Sequence, residues 1–292
     1  MKRRRFLENS LLASASLSFV PKSLAAALPA TENNASTPYE SNWHTLPDRP
    51  WAGENLWANR LQDWHIQDGW LQCNVRGRNR SVALLTHALG SQPAAFTVRT
   101  TFQFSNSVQA EDYAGIRLGS KGPIDDYRSA AIYGKGMDLG LRTDGKWVLD
   151  KAISDSGISP DTLNNALTLE VSGEPQAAGR YRLLVRVLDG ATPLAEKTLD
   201  NVAAENLRGG LALVCHGETP EQQFTPGARF QNWRVEGPKV AANGTQTYGP
   251  IYFAQYTLHN DTVKLSALCA PVGQTGKEVV LELKEGNEWK VA

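Results

Sequence analysis

The chain has few cysteines, no excess of either charge, and no long apolar stretch beyond its first 27 residues. Its 292 residues include three cysteines, and 30 basic residues balance 30 acidic ones. The cysteines are far apart and no histidine pair has ligand spacing, which argues against a zinc site. The balanced charge predicts no nucleic-acid partner. The missing apolar run predicts no membrane-spanning segment.

The N-terminal residues have the pattern of an export signal. The signal residues are Arg3, Arg4, Phe6 and Leu7. An apolar run, Leu11–Val20, and the small residues Ala25, Ala26 and Ala27 follow. This order predicts a signal peptide over residues 1–27, and the paired arginines favour the twin-arginine route. We therefore expect the Tat translocase as an export partner and a periplasmic or extracellular location. Removing residues 1–27 would leave a net charge of −4.

Short alternating runs predict an all-β domain over residues 43–238, after a polar linker at 28–42. The clearest alternating runs are Phe96–Phe104, Leu167–Val171 and Tyr181–Val187. Apolar residues at every second position indicate strands with one buried face. Asp-Gly pairs at Asp68, Asp144 and Asp189 separate such runs and are typical of turns. Single helical turns are expected at 161–166 and 203–207. So many strands in one domain predict two packed antiparallel sheets, a large sandwich.

A second region, residues 248–292, begins near a Gly-Pro breaker at Gly249. About four strands follow, with turns at Asn260-Asp261 and Gly286-Asn287. An immunoglobulin-like sandwich needs about seven strands, so this region predicts roughly half of one. The end of the sequence at Ala292 is therefore expected to interrupt a domain and to leave a poorly protected edge strand.

Cys73 and Cys215 both lie in apolar strand-like runs of the same predicted domain. In an oxidising compartment they are the candidate disulfide, with Cys269 left over. The alternative is that both are buried free thiols that pack as small apolar side chains.

Three patterns in the sequence have features of catalytic motifs. Asp63 and His65 have the spacing that opens a metallophosphatase site, but the further ligands are absent and both are expected to be surface residues. The glycine-rich run 134–140 alternates like a strand and does not open a helix, which argues against a phosphate loop. Asp125 and Asp126 are expected to cap a turn. We therefore predict no catalytic residues, no metal ligands and no cofactor in this chain.

One face of the predicted sandwich has the features of a ligand site. The residues expected to bind there are Arg117, Tyr133, Asp138 and Arg142. They would share the side of the sheet opposite the core with small residues such as Gly115 and Gly140, so that a sugar or peptide could stack on Tyr133. The run between the two strands is expected to be extended, with Ser129 and Ala131 on the same face. The alternative is an exposed sheet face with cross-strand ion pairs.

Several segments resemble known families. They are residues 61–73, 84–86, 113–119, 126–128 and 228–235. These segments are similar to concanavalin/laminin-G-like sandwiches, including keto-disaccharide hydrolase-type domains. The segments Gly134–Asp138 and Gly249–Leu258 more specifically resemble the N-terminal region of exported alkaline phosphatase D (PhoD-like) metallophosphatases. The resemblance covers nearly the whole chain.

This resemblance implies a concanavalin-like sandwich followed by an incomplete immunoglobulin-like segment. In that family the metal ligands lie in a later catalytic domain, and this chain has no positions that match it. The expected function is an exported, non-catalytic accessory or binding module that contacts glycan or a catalytic phosphatase domain. The alternatives are a glycan-active hydrolase of the keto-disaccharide hydrolase type and a truncated phosphatase without independent function.

Overall fold

The computed structural model describes residues 37–217, 225–273 and 278–292. The predicted signal residues Arg3, Arg4, Phe6 and Leu7 lie outside the described residues. From the N-terminus the strands are β1 (Tyr39–Glu40), β2 (Leu56–Trp57), β3 (Trp64–Gln67), β4 (Trp70–Cys73), β5 (Arg80–Leu89), β6 (Phe96–Phe104), β7 (Tyr113–Lys121), β8 (Lys135–Arg142), β9 (Lys146–Leu149), β10 (Ala152–Asp155), β11 (Leu167–Gln176), β12 (Arg180–Asp189), β13 (Thr192–Ala203), β14 (Gly209–His216), β15 (Ala228–Glu236), β16 (Val240–Ala242), β17 (Ile251–His259), β18 (Thr262–Cys269), β19 (Glu282–Glu285) and β20 (Glu288–Val291).

Two eight-stranded sheets form the main body. The first sheet has the order β13-β12-β11-β6-β15-β4-β3, and β1 also pairs with β15. The second has the order β10-β9-β8-β7-β14-β5-β16, and β2 also pairs with β5. The pairings within both sheets are antiparallel. The prediction of a two-sheet antiparallel sandwich is confirmed.

The core lies between the two sheets and takes one face of each. In the first sheet, Leu169 lies opposite Thr100 and Val187, and all three side chains are buried. In the second sheet, Ile116 lies opposite Leu139 and Leu213, and these are also buried. One connected cluster of buried side chains includes residues of both sheets. The period-two alternation therefore identified the inward faces correctly.

The turns follow the Asp-Gly signals. Asp68 and Gly69 form a two-residue connection between β3 and β4, and both have positive φ, at 51° and 77°. This backbone is typical of a tight hairpin turn. The expected helical turns are also present, as 3-10 helices at Pro160–Asn164 and Ala204–Leu207.

Two sequence expectations differ from the structure around the sandwich. The predicted linker 28–42 overlaps β1, where Tyr39 pairs with Val235 and is buried. Asp63, expected at the surface, is buried and forms an ion pair of 2.7 Å with Arg80. The carboxylate is buried because a cation 17 positions away in the sequence folds onto it, and a buried charge needs such a partner.

The run between β7 and β8 is a helix, α1 (Tyr127–Tyr133), so the expectation of an extended run was wrong. The Asp126 carboxylate accepts from the Arg128 backbone N–H at 2.8 Å and caps the N-terminus. Gly134 has φ 53° and ends the helix, its N–H donating to the Ala130 carbonyl. These two caps favour a helical turn over an extended segment.

The C-terminal strands pair as two separate hairpins, β17 with β18 and β19 with β20. Phe253–Leu268 is a unit of its own, distinct from the one that contains 37–252 and Cys269–Ala292. The first hairpin turns at Asn260 and Asp261, both with positive φ. The immunoglobulin-like character of residues 248–292 stays a prediction.

Candidate functional site

The predicted ligand residues lie on or beside the outer face of the second sheet, which is the face opposite the core. On β7, Ala114, Ile116 and Leu118 are fully buried towards the core, so Arg117 projects to the other side. The register places Arg117 opposite Asp138 of β8. Sequence alternation therefore brought Arg117 and Asp138 together on one face.

Small residues let these two strands approach closely. Gly115 lies opposite Gly140. A Cβ on Gly115 would lie 2.3 Å from the Leu139 carbonyl oxygen, and one on Gly140 would lie 2.2 Å from the Ala114 carbonyl oxygen. No real side chain tolerates such distances, so the glycines serve the packing of strand against strand. They do not form a phosphate loop.

Arg117 and Asp138 form a largely buried two-pronged ion pair. The Arg117 Nε donates to Asp138 Oδ1 at 2.5 Å and an Nη donates to Oδ2 at 2.8 Å. The guanidinium also donates to the Gly134 carbonyl at 2.6 Å and to Asn79 Oδ1 at 2.9 Å. Burial lowers the pKa of Arg117, but the hydrogen bond and charge of Asp138 more than offset this and raise it. Four of the five N–H donors of Arg117 are therefore used on protein partners, and two of these hydrogen bonds position Asp138.

Tyr113 and His216 extend this arrangement. The Tyr113 hydroxyl donates to Asp138 Oδ2 at 2.7 Å. Its ring stacks on His216, with centroids 4.8 Å apart and an interplanar angle of 11°. The Asn79 backbone N–H donates to His216 Nδ1 at 3.1 Å, so Nδ1 acts as an acceptor and carries no proton. We call Asn79, Tyr113, Arg117, Asp138 and His216 the outer-face cluster.

Sequence reasoning missed three members of this cluster. Tyr113 could have been found, because it alternates with Gly115 and Arg117 on the same strand. Asn79 and His216 could not, because their positions depend on how β14 and the turn before β5 align with β7.

Arg142 lies on the same face and is opposite Tyr113 across the strand pair. Its hydrogen bonds run to Asp144, at 3.1 and 2.8 Å, and to Glu111, at 3.0 Å. Burial lowers the pKa of Arg142, and these two carboxylates offset that effect and raise it. Arg142 is thus held beside the cluster by acids of neighbouring turns.

Tyr133 is the last residue of α1 and precedes Gly134, whose carbonyl accepts from Arg117. Its side chain is 56% exposed. The structure therefore places Tyr133 next to the cluster in the chain, with most of its ring in solvent. Helix α1 itself packs on β5, β7 and β14 and covers part of the outer face.

A row of cross-strand neighbours runs from Arg117 across the second sheet to a tryptophan. Trp57 lies opposite Ala83, Ala83 opposite Ala212, and Ala212 opposite Arg117. Ala83 and Ala212 are buried, whereas Trp57 is half-buried. With strands about 4.8 Å apart, Trp57 stands roughly 14 Å from Arg117 along the row.

Three cavities lie away from this face and contain none of the four predicted ligand residues. One of about 510 Å³ is lined by Pro250, Cys269 and Val280 among others. One of about 310 Å³ is lined by residues that include Gln103 and Arg229.

The third cavity, of about 420 Å³, lies beside Trp43, Trp51 and Arg49. There the Arg49 guanidinium stacks over the Trp51 ring at 5.0 Å. Burial lowers the pKa of Arg49, against an opposing effect of Glu54.

Within residues 37–217, 225–273 and 278–292, no group of three or more His, Cys, Asp and Glu side chains could hold a metal ion. No helix in the described part of the chain has the length and hydropathy needed to cross a membrane.

No protein-family model matches the chain, and no curated protein matches it. The PhoD-like identification therefore rests on the resembling residues alone.

Solved structures similar to this chain include an alginate lyase and several lectins. A mutant of alginate lyase Aly36B in complex with alginate tetrasaccharide has 11% identity and a TM-score of 0.40, covering 68% of this chain and 96% of its own. The Bauhinia forficata lectin in complex with GalNAc has 11% identity and a TM-score of 0.40, covering 70% and 98%. Lectin II from Ulex europaeus has 9% identity and a TM-score of 0.43, covering 70% and 99%. Similarity at this level assigns no ligand or activity to this chain.

Proposed function

We propose that this protein is a glycan-binding module and that the glycan contacts the rim of the outer-face cluster. The observation that carries the proposal is the fixed carboxylate of Asp138. Arg117 holds it on two prongs and Tyr113 donates to one of its oxygens. A carboxylate oriented in this way keeps acceptor capacity for a sugar hydroxyl, and a binding site gains affinity when its polar groups are already positioned.

Two other groups complete the proposed contact. Tyr133 offers an exposed aromatic ring, on which the apolar face of a sugar ring can stack. The Arg142 side chain is 14% exposed, and in this proposal its guanidinium is a hydrogen-bond donor to the glycan. An aromatic platform with a few oriented polar groups is typical of small-ligand sites.

The geometry favours binding over hydrolysis of a glycan. A glycosidase needs two carboxyl groups about 5 to 9.5 Å apart across the sugar. The Asp138 side chain bonds to Arg117 and Tyr113, and its backbone carbonyl accepts from the Asp150 N–H at 2.6 Å. Arg117 and Tyr113 are not carboxylic acids, and they fix the carboxylate as a hydrogen-bond acceptor. Binding is therefore the function proposed first, and hydrolysis of the keto-disaccharide hydrolase type is the alternative.

The test is calorimetric titration of the purified full chain against neutral, acidic and amino-sugar oligosaccharides. Tyr133→Ala should weaken binding about fivefold, since stacking contributes roughly 1 kcal/mol. Tyr256→Ala is the matched control, because Tyr256 is also exposed, at 65%, and lies in the β17–β18 hairpin. Absence of binding across the panel, or equal loss in both variants, would remove the proposal.

We also propose, from the resemblance of Gly134–Asp138 and Gly249–Leu258, that the module is an accessory part of a PhoD-like phosphatase architecture. In this proposal the chain hydrolyses no phosphate ester by itself, because the residues that hold the metals in that family have no counterpart here. Phosphodiester and phosphomonoester assays with added Ca²⁺, Fe³⁺ or Zn²⁺ test this. Metal-dependent turnover by the purified chain would contradict it.

Export through the twin-arginine route to the periplasm or beyond is the third part of the proposal. It rests on Arg3 and Arg4 ahead of Phe6 and Leu7. Replacing both arginines by lysine should keep the full-length chain inside the cell while preserving the positive charge. Cell fractionation and immunoblotting measure where the double variant accumulates. Unchanged export of this variant would count against the route.

A further inference from the structure

Two cysteines from opposite sheets meet in the core of the sandwich. Cys73 ends β4 of the first sheet and Cys215 lies on β14 of the second. Their residues are 0% and 4% exposed, and both belong to the cluster of side chains that fills the space between the sheets. Each side chain therefore points from its own sheet towards the other.

Cys73 and Cys215 share one close neighbour in the core. Gly227, just before β15, touches both residues. Its N–H donates to the Cys73 carbonyl at 3.1 Å, and a Cβ at this glycine would lie 2.4 Å from Cys215 Sγ. The Cys73 thiol also donates to the Val75 carbonyl at 3.3 Å. These contacts hold the pair at one place in the core.

We propose that Cys73 and Cys215 form a disulfide that joins the two sheets when the chain folds under oxidising conditions, and that Cys269 remains a free thiol. The third cysteine is only partly buried and lies at the end of β18. A bond between Cys73 and Cys215 would close a loop that contains most of the sandwich.

The timing of the reaction follows from burial. Burial is the largest cause that raises the pKa of the Cys73 thiol, and the neighbouring Cys215 raises it further. The thiolate is the reactive form. The folded sandwich therefore protects the pair from later oxidation or reduction. The bond should form while the chain folds, before the two sheets close over the thiols.

The chemistry is thiol–disulfide exchange with an external disulfide, either oxidised glutathione or a disulfide oxidoreductase. The thiolate of one cysteine attacks the external disulfide and releases one reduced thiol, giving a mixed disulfide. The second cysteine then attacks the protein sulfur of that mixed disulfide and releases the second reduced thiol. The external disulfide takes up two electrons, and the two cysteine protons pass to the released thiols and the solvent.

The experiment compares full-length chain refolded in reduced and oxidised glutathione buffers with chain refolded under dithiothreitol. Free thiols are blocked with iodoacetamide in denaturant before digestion and mass spectrometry. The expected result after oxidative refolding is a cross-linked pair of peptides containing Cys73 and Cys215, with Cys269 alkylated. Three alkylated cysteines, or a cross-link that includes Cys269, would overturn the proposal.

Thermal unfolding provides a second measurement. Oxidised chain should melt about 5–15 °C above reduced chain, because the cross-link restricts the unfolded chain over a long loop. Cys269→Ser is the matched control and should keep both the cross-link and this difference. Cys215→Ala should abolish both. If that variant fails to fold, the difference between the oxidised and reduced Cys269→Ser protein still decides the outcome, and equal melting temperatures would contradict the proposal.

Discussion

The sandwich strands and the C-terminal hairpins both have alternating apolar residues, but these residues are buried in the sandwich and exposed in the hairpins. On β12 of the sandwich, the alternate residues Leu183, Val185 and Val187 are fully buried. In the C-terminal region, Leu265 on β18 is 46% exposed and Trp289 on β20 is 62% exposed. Alternation predicts where a strand is and which residues share a face. A facing sheet is needed before that face contributes the free energy of apolar burial.

The ion pairs of the two regions also differ in their exposure to solvent. In the sandwich, Arg76 and Asp112 form an ion pair whose side chains are 1% and 4% exposed. In the C-terminal region, Lys290 and Glu285 are 3.0 Å apart, with about 60% of each side chain exposed. Removing one partner leaves a buried charge only in the sandwich, which makes the first pair far more sensitive to substitution.

The largest expected effect tests this difference between ion pairs. Asp112→Ala should lower the free energy of unfolding by about 3–5 kcal/mol, because it leaves the Arg76 guanidinium buried without its carboxylate. Urea unfolding followed by tryptophan fluorescence measures the loss.

The matched control is Glu285→Ala in the exposed pair. It should change the unfolding free energy by less than about 1 kcal/mol. The contrast between the regions would be broken if the two variants had similar stabilities. Replacing both Arg76 and Asp112 by apolar residues should recover part of the loss, since no charge then stays buried.

A smaller effect is expected from apolar truncation. Leu169→Ala removes a fully buried side chain between the sheets and should cost roughly 2–5 kcal/mol. Leu265→Ala removes the same atoms from a half-exposed position and should cost less than about 0.5 kcal/mol.

The Leu265 result has a second use. A loss comparable with that of Leu169→Ala would mean that another surface covers the apolar face of the β17–β18 hairpin in solution. Sedimentation of the wild type and of Leu265→Ala would then show whether a second copy of the chain provides it.

The sequence predicted the sandwich strands well because local alternation is enough to place them. It also predicted about four strands after Gly249, and β17, β18, β19 and β20 lie there. The outer-face cluster was predicted in part, through Arg117 and Asp138, which share a face by alternation on adjacent strands.

What sequence reasoning missed depends on partners that are distant in the chain. His216 joins Tyr113 through the pairing of β14 with β7, and no local pattern contains that register. Asp63 is buried because Arg80 pairs with it. Helix α1 is the exception, because Asp126 and Gly134 supply local capping signals that point to a helix at its two ends.

The smallest expected effect concerns α1, the helix that lies between the strands β7 and β8 of the sandwich. The side chain of Arg128 donates to Asp126, and with the helix N–H groups this lowers the pKa of Asp126 to about 2. A carboxyl with a depressed pKa stabilises the folded state above its unfolded pKa of about 3.9. That contribution is lost as the pH falls towards about 2.

Asp126→Asn separates charge from capping, because asparagine caps as well as aspartate but carries no charge. The stability difference between wild type and Asp126→Asn should be constant above about pH 5 and should shrink between about pH 4 and pH 2. Asp126→Ala should cost up to about 1 kcal/mol at neutral pH, since it also removes the cap. The carboxylate is partly exposed, with 32% of its side chain in solvent, so the charge-dependent part should be the smaller one and should weaken in high salt. A pH-independent difference between wild type and Asp126→Asn would show that the cap stabilises α1 through its hydrogen bond alone.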